Sequence, residues 1–441
     1  MSPTPDPDKL RNDFLAEEST LSTSGVGRLA RTMRSVAKGA LRVGRMKPAA
    51  DGGLRDKDQA ALEQLVRSLG ELKGLPMKLG QMLGYVDESL PEEMRRLLST
   101  LQTHAPAVPF SEIEQTIREN LGERADELLP RLTRTPVAAA SIGQVHRATL
   151  PDGTPVAVKV QYKGIEAALR AEFDLARFGV RYATLLAPGD VQSFVEEVRT
   201  QLLYECDYVR EAGWQERFAE VFADHPVVRV PTVHRAYCGR RVLTTTWMEG
   251  RRFDDWLAGN PSQAERNRIG VTLYECYLGT LYRHGLFNAD PHPGNYLFGD
   301  DGSLIMLDFG CVRSFPPELV ASFVALRRAV QGDDRREICA ALAAIGARPP
   351  VKDKAYDAAR DLLRAFFAPV LVPGVQRISP ATGTRLGELL ADKMSLLKLS
   401  LPGEIAFLFR IKFGLYSLLS RVEAEADWAG LEASWSADLK S

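Results

Sequence analysis

The stretch HGLFNADPHPGNYLF, residues 284–298, places two histidines, an aspartate, two asparagines and two prolines directly before a short apolar run. Proline fixes φ and glycine tolerates unusual backbone angles, so Asp290 to Asn295 is predicted to be a stiff, shaped loop rather than helix or strand. Taken alone, such a loop is either a turn between a helix and a strand or a rigid platform for chemistry. The neighbouring segments decide between these.

Downstream, GSLIMLDFG (residues 302–310) reads as an apolar strand from Leu304 to Leu307 that delivers Asp308 at its end, with Gly310 permitting a sharp exit. Upstream, QVHRATL and TPVAVKVQ alternate in polarity around PDG, which predicts two antiparallel strands joined by a turn. In the second strand Ala157 and Lys159 share one face, while Val156, Val158 and Val160 share the other. A small residue beside a lysine suits a flat ring lying over Ala157 and a phosphate reached by Lys159. Before the hairpin, VAAASIGQVHRA contains a small-residue loop, Ala138 to Gly143, whose backbone N–H groups are suited to meeting phosphate oxygens.

Between the hairpin and the stiff loop, YECDYVREAGWQERF is read as one helix carrying Glu205, Asp207 and Glu211. At about 100° per residue, Asp207 and Glu211 lie on the same side and Glu205 points elsewhere. A lysine followed by Asp290, Asn295 and Asp308, a trio of oxygen ligands and bases, is the set that phosphoryl transfer from a magnesium-bound nucleotide requires.

Length and composition bound the remainder. At 441 residues the chain exceeds one ordinary core, and two or three packed units are expected. With 45% hydrophobic and 26% charged residues and a formal net charge of -1, nothing global points to nucleic acid. Cys206, Cys238, Cys276, Cys311 and Cys339 are scattered without a C-x-x-C pair, which argues against a disulfide framework and a structural zinc site. A zinc or iron site built from His284, Asp290 and His292 lacks a further well-spaced ligand, and His292 is read as a packed loop histidine. No run reaches the roughly 18 apolar residues that span a bilayer. LPGEIAFLFRIKFGLYSLLSRV, near the end of the sequence, is read as an amphipathic helix packed on the body. A cytoplasmic protein is expected. One local asymmetry stands out: no acid occurs between Ser19 and Ala50, while Arg28, Arg31, Arg34, Lys38, Arg42, Arg45 and Lys47 recur at mostly helical spacing. That segment is open to peripheral contact with an anionic membrane surface.

Secondary structure follows from periodicity and caps. Helices are expected through KDQAALEQLVRSLGELKG and PEEMRRLLSTLQT, and a capping box of Ser111 with Glu114 is predicted to open another in SEIEQTIRENLG. Long helices are predicted from about 164 to 187 and 190 to 222, strands near 227–230 and 241–247, and a mostly helical chain from 262 onward.

KLGQ (residues 78–81), AAASIGQVHRA, VAVKVQ, ECDYVREA, NADPHPGN and LDFG together closely resemble the UbiB family of atypical, protein-kinase-like kinases. The resemblance spans roughly residues 70–315. It implies an α+β, two-lobed protein-kinase-like fold with a helical N-terminal extension and a mostly helical C-terminal lobe. The division it suggests is a flexible basic segment 1–50, a helical extension 51–110 carrying KLGQ, an N-lobe 111–246 and a C-lobe 247–441. It implies ATP and Mg2+ as cofactors and a role in or near isoprenoid-quinone or other lipid metabolism, with a lipid or quinone precursor as ligand. By the same resemblance Lys159 pairs with Glu211, Asp290 is the catalytic aspartate, and Asn295 and Asp308 hold metal. Ala138, Ala139, Ala140 and Ser141 line the phosphates, and the backbone of Thr246, Trp247, Met248 and Glu249 binds the adenine edge. Lys78 and Gln81 are implied to fold over the site and meet Glu205 and Asp207 in a regulatory contact. Alanines where ordinary protein kinases use glycines, and no A-P-E sequence after DFG, depart from those enzymes. Two other readings stay open on sequence alone: a nucleotide-binding regulatory pseudoenzyme working through partner proteins, and a protein kinase.

Overall fold

The structure is a computed structural model that describes residues 108–140, 142–170, 199–200, 202–378, 403–437 and 439. KLGQ, the basic segment, Ser141, the helices expected through residues 57–74 and 91–103 and most of the one expected from about 164 to 187 lie outside the described residues.

The first core is built on a four-stranded antiparallel sheet in the order β1-β2-β3-β5. Its strands are β1 (Ala138–Ala139), β2 (Gly143–Thr149), β3 (Pro155–Gln161) and β5 (Val242–Thr246), with β4 (Val228–Arg229) lying elsewhere. β2 and β3 form the expected hairpin, with Val145 opposite Lys159 and Arg147 opposite Ala157. Val156, Val158 and Val160 are fully buried, and their removal from water favours the fold by about 1.5–3 kcal/mol each. They share a core with Ile113 and Ile117 of α1 (Phe110–Leu121) and Leu128 of α2 (Arg124–Leu128). The capping box expected at Ser111 does not form. Pro109 is the N-cap, so Ser111 lies inside the helix, and Glu114 instead accepts from Arg118 one turn on.

His146, on β2, is wholly buried behind this sheet. Its Nδ1 donates to the Thr133 carbonyl at 2.7 Å, so its Nε2 is the bare nitrogen that accepts from the Gln144 amide at 2.9 Å. The Gln144 orientation is set by the Val108 N–H, which donates to its Oε1. Burial lowers the His146 pKa below its ordinary 6.5, against the Thr133 carbonyl, which favours the proton. A depressed folded value means that this stability is present above pH about 6.5 and is lost as pH falls through the folded pKa. Urea denaturation at about pH 7.5 and about pH 5.5 should therefore show a larger acid loss for the wild type than for His146→Gln. Equal losses in the two proteins would count against this assignment.

The second core is mostly helical. It holds α3 (Tyr208–Val221) through Phe218, then α4 (Phe253–Ala258) and α5 (Gln263–Tyr274). A π-turn at Glu275–Gly279 leads into α6 (Thr280–His284). Two small sheets carry the stiff loop: β6 (Leu286–Asn288) pairs with β9 (Val312–Ser314), and β7 (Tyr296–Phe298) with β8 (Leu304–Met306), which also meets β4. Gly285 turns the chain from α6 into β6 in the left-handed region, at φ 64°. Beyond β9 come α7 (Pro317–Gly332), α8 (Arg335–Ala344) and α9 (Asp353–Leu371), then α10 (Gly403–Val422) and α11 (Trp428–Trp435). β10 (Gln376–Arg377) and β11 (Glu425–Ala426) pair between them. Among the described residues no helix is long and apolar enough to cross a membrane.

α10 packs on the body as expected: among its described side chains Ile411, Lys412, Leu415, Tyr416, Leu418, Leu419 and Ser420 are buried and Arg421 is exposed. Lys412 lies inside because Glu432 of α11 faces it at 3.1 Å.

Candidate active site

Lys159 lies at the meeting point of the two cores. Its ammonium is 2.8 Å from Glu211 Oε1, 3.1 Å from Oε2 and 3.4 Å from Asp308 Oδ2, and it sits 5.1 Å from the centre of the Tyr208 ring. Burial works against its charge, yet the Asp308 and Glu211 carboxylates outweigh that and hold its pKa well above the ordinary lysine value. Burial pushes Glu211 up to about 7; Lys159 opposes that rise, and the nearby charges of Asp308 and Glu205 add to it. Lys159 thus stays cationic.

Glu205 and Asp207 differ from the single-helix reading. Asp207 is the N-cap of α3, and its side chain accepts from the N–H groups of Val209 and Arg210. Aspartate favours that position because it satisfies donors the helix leaves open. The chain therefore breaks at Cys206, and helical angles cannot be carried across it. Glu205 does not point away from Glu211: Glu205 Cγ and Glu211 Oε2 each lie 3.6 Å from the point where a Cβ on Gly310 would stand, with Asp308 Oδ1 at 3.4 Å. Cys311 donates its S–H to Glu205 Oε1 at 2.9 Å.

The stiff loop is fixed chiefly by its backbone. Asn288, buried on β6, accepts from the Asp290 N–H through Oδ1 and donates through Nδ2 to the Asp308 carbonyl at 2.9 Å, tying the two aspartates together. The Asp290 carbonyl accepts from Asn295 Nδ2 at 3.0 Å and from the Tyr277 hydroxyl at 3.1 Å. A carbonyl only accepts, so Asn295 presents its nitrogen there and keeps Oδ1 for another partner. Leu307 N–H donates to the Asn295 carbonyl, which brings Asn295 beside the strand end that carries Asp308. His292 Nδ1 accepts from the Gly294 N–H inside the loop.

Toward the phosphate loop, Ala138 and Ala139 form β1, and the Ala140 N–H donates to the Gly143 carbonyl at 2.7 Å. That N–H is committed to the turn, unlike the open amide expected from the sequence. Gly143 is required by close approach: a Cβ there would lie 2.4 Å from the Val160 carbonyl and 2.9 Å from the Tyr208 hydroxyl. At the hinge, the Thr246 and Trp247 N–H groups donate to the carbonyls of Thr232 and Pro155. Arg147 stacks on Trp247 at 4.7 Å, and the Trp247 indole donates to Glu249.

The residues missed by reading the sequence are those acting on backbone or through contact. Asn288 carried a faint signal, an amide in an otherwise apolar run two positions before Asp290. Tyr277 and Tyr208 carried none, since buried tyrosines read as core. Arg210 donates to the Val312 carbonyl at 3.1 Å and ties α3 to the strand after Asp308.

A sheet lysine bound to a helix carboxylate, with an aspartate 3.4 Å away at the end of a second sheet, is the arrangement of a kinase-like fold. The chain belongs to the ABC1 family of atypical kinases, also called the UbiB family: the ABC1 atypical kinase-like domain matches residues 100–342. It is 30% identical over 265 residues to the atypical kinase COQ8, mitochondrial, of Saccharomyces cerevisiae, covering 59% of this chain and 52% of that protein. It is 31% identical over 283 residues to the atypical kinase COQ8B, mitochondrial, of Rattus norvegicus, covering 64% and 53%. The chain thus spans about half the length of these curated relatives. Among solved structures, Rv3197 of Mycobacterium tuberculosis, determined in complex with erythromycin, shares 30% identity with a TM-score of 0.60, covering 86% of this chain and 96% of that one.

Proposed function

We propose that the chain is a Mg-ATP-dependent atypical phosphotransferase or ATPase that acts on a small molecule or lipid rather than on protein. The carrying observation is the ammonium of Lys159 held between Glu211 and Asp308. In this reading Lys159 meets nucleotide phosphates, Asp308 and the Oδ1 of Asn295 are the oxygen donors for Mg2+, and Asp290 faces the acceptor. The donor set fits a hard cation, since both ligands are oxygens and Asn295 has its nitrogen engaged elsewhere. Bound magnesium would neutralise charge on the phosphates. With the Thr246 and Trp247 N–H groups committed, Met248 and Glu249 are left to meet the adenine edge.

A peptide substrate is disfavoured because β9 starts four residues after Asp308 and α7 begins at Pro317, leaving little chain for a docking platform. The erythromycin complex of Rv3197 supports a small-molecule ligand for this fold. A quinone or other lipid precursor, with peripheral contact to anionic membrane through the basic segment, is the substrate setting implied by the UbiB resemblance.

Asp308→Asn tests the reading. It keeps the side-chain shape and the Gly310 N–H contact but removes the charge that would hold the cation. Thermal stabilisation by ATP with Mg2+ should be lost, while the unliganded melting temperature stays close to wild type. Unchanged Mg2+-dependent stabilisation would defeat the metal assignment.

A further inference from the structure

Helix α10 lies beyond the residues matched by the kinase-like domain, yet it touches the catalytic loop. Gly414, buried in its interior, sits where a Cβ would be 2.7 Å from Pro291 Cγ, 3.8 Å from Cδ and 3.9 Å from Cβ. Real Cβ atoms do not approach that closely, so any side chain at 414 must push the proline ring or the helix. Glycine is also a poor helix residue, and the Gly414 backbone is not in the left-handed region, so alanine suits the helix better in every respect except this contact.

Neither partner has room to retreat. α10 is clamped by Lys412 to Glu432 and by the buried Leu415, Tyr416, Leu418 and Leu419. On the loop side, Pro291 follows Asp290 directly, and its ring fixes the backbone angle between them. Asp290 is itself held: its carbonyl by Tyr277 of the π-turn and by Asn295, its N–H by Asn288. A push on the Pro291 ring is therefore delivered to Asp290. We propose that Gly414 is a positioning residue, a gap in the C-terminal helix that seats Pro291 and so sets where Asp290 presents its carboxylate. This rests on the reading of Asp290 as the acceptor-side aspartate.

The test measures phosphate release from Mg-ATP at saturation, Mg-ADP affinity and thermal melting for wild type, Gly414→Ala, Pro291→Ala and the double variant, with Asp290→Asn as control. Gly414→Ala should lower turnover ~10- to 100-fold, the scale of a displacement of about 1 Å at a reacting group. Its nucleotide affinity should stay near wild type, and its melting temperature should fall modestly because the site is overpacked. Removing the ring should relieve the clash, so the double variant should turn over faster than Gly414→Ala. Full wild-type turnover in Gly414→Ala overturns the proposal, as does a double variant no faster than the single one. If Gly414→Ala fails to fold, a soluble double variant supports the seat and an insoluble one overturns it. Wild-type turnover that does not depend on Asp290 removes the functional reading and this inference with it. Asp290 dependence combined with an unaffected Gly414→Ala removes the seat alone.

Discussion

Asp290→Asn is expected to lower turnover by about 10³-fold while leaving nucleotide affinity within about three-fold of wild type. The reason lies in what holds this residue. Its N–H and carbonyl are fixed by Asn288, Asn295 and Tyr277, none of which bonds to the carboxylate through these contacts. The substitution is isosteric, changes the reacting end and keeps these three backbone contacts. Neutralising Asp290 removes the group suited to accept a proton from an incoming hydroxyl or water, and general-base loss costs about 10²- to 10⁴-fold. Affinity should persist because the proposed phosphate and metal contacts come from Lys159, Asn295 and Asp308. Single-turnover phosphate release measured beside Mg-ADP affinity separates the two effects. Loss of both in equal measure would reassign Asp290 to nucleotide binding. Wild-type turnover would end its role as base.

This contrast with Asp308→Asn shows which parts of the site were legible in advance. The β2–β3 hairpin and the face shared by Ala157 and Lys159 are local patterns with period two, and the structure places them as the alternation requires, while the strand before Asp308 is a continuous apolar run, buried throughout, that ends at Met306. Glu205 and Asp207 were misread for an equally local reason. An aspartate that caps a helix looks the same in sequence as one lying on it, and the decision rests on which N–H groups it accepts from. Once the chain breaks at Cys206, Glu205 falls beside Gly310, a position no helical wheel predicts.

The other omissions are long-range. Asn288 joins residues on different strands, and Gly414 meets Pro291 across 123 positions of chain. Periodicity reports which face of an element is apolar, not which backbone it approaches. α10 illustrates this further: a lysine in an amphipathic helix reads as part of its polar face, whereas Lys412 is wholly buried because its counter-charge comes from α11. The twenty positions between Lys412 and Glu432 hide the pair from any local reading of the sequence.

Glu432→Leu is accordingly expected to destabilise the helical core by about 3–5 kcal/mol, the cost of leaving a buried charge without its partner. Glu432 is fully buried and accepts from the Tyr274 hydroxyl, from Tyr282 at 3.0 Å and from Lys412 at 3.1 Å, with Arg327 Nε 3.5 Å away. Lys412 is otherwise surrounded by rings, those of Phe367, Phe366, Tyr416 and Phe323 at 4.9, 5.0, 5.6 and 5.8 Å. Burial lowers its pKa, Glu432 works against that fall, and Arg327 adds to it. Ring faces attract a cation, but each contributes only about 0.5–2 kcal/mol, too little to replace the carboxylate. Removing Glu432 also deprives two tyrosine hydroxyls of an acceptor. Lys412→Met alone should cost less, since Arg327 and both tyrosines still face Glu432. The double variant Lys412→Met with Glu432→Leu should recover the part of the loss owed to the stranded lysine, while Arg327, Tyr274 and Tyr282 still lack their acceptor. Urea denaturation of the four proteins gives the coupling directly. A double variant as unstable as the sum of the singles would show that the pair is not coupled and that the loss comes from packing alone. Because Tyr274 precedes the π-turn that carries Tyr277 to the Asp290 carbonyl, the same variants should also lower turnover in proportion to how far that turn is displaced.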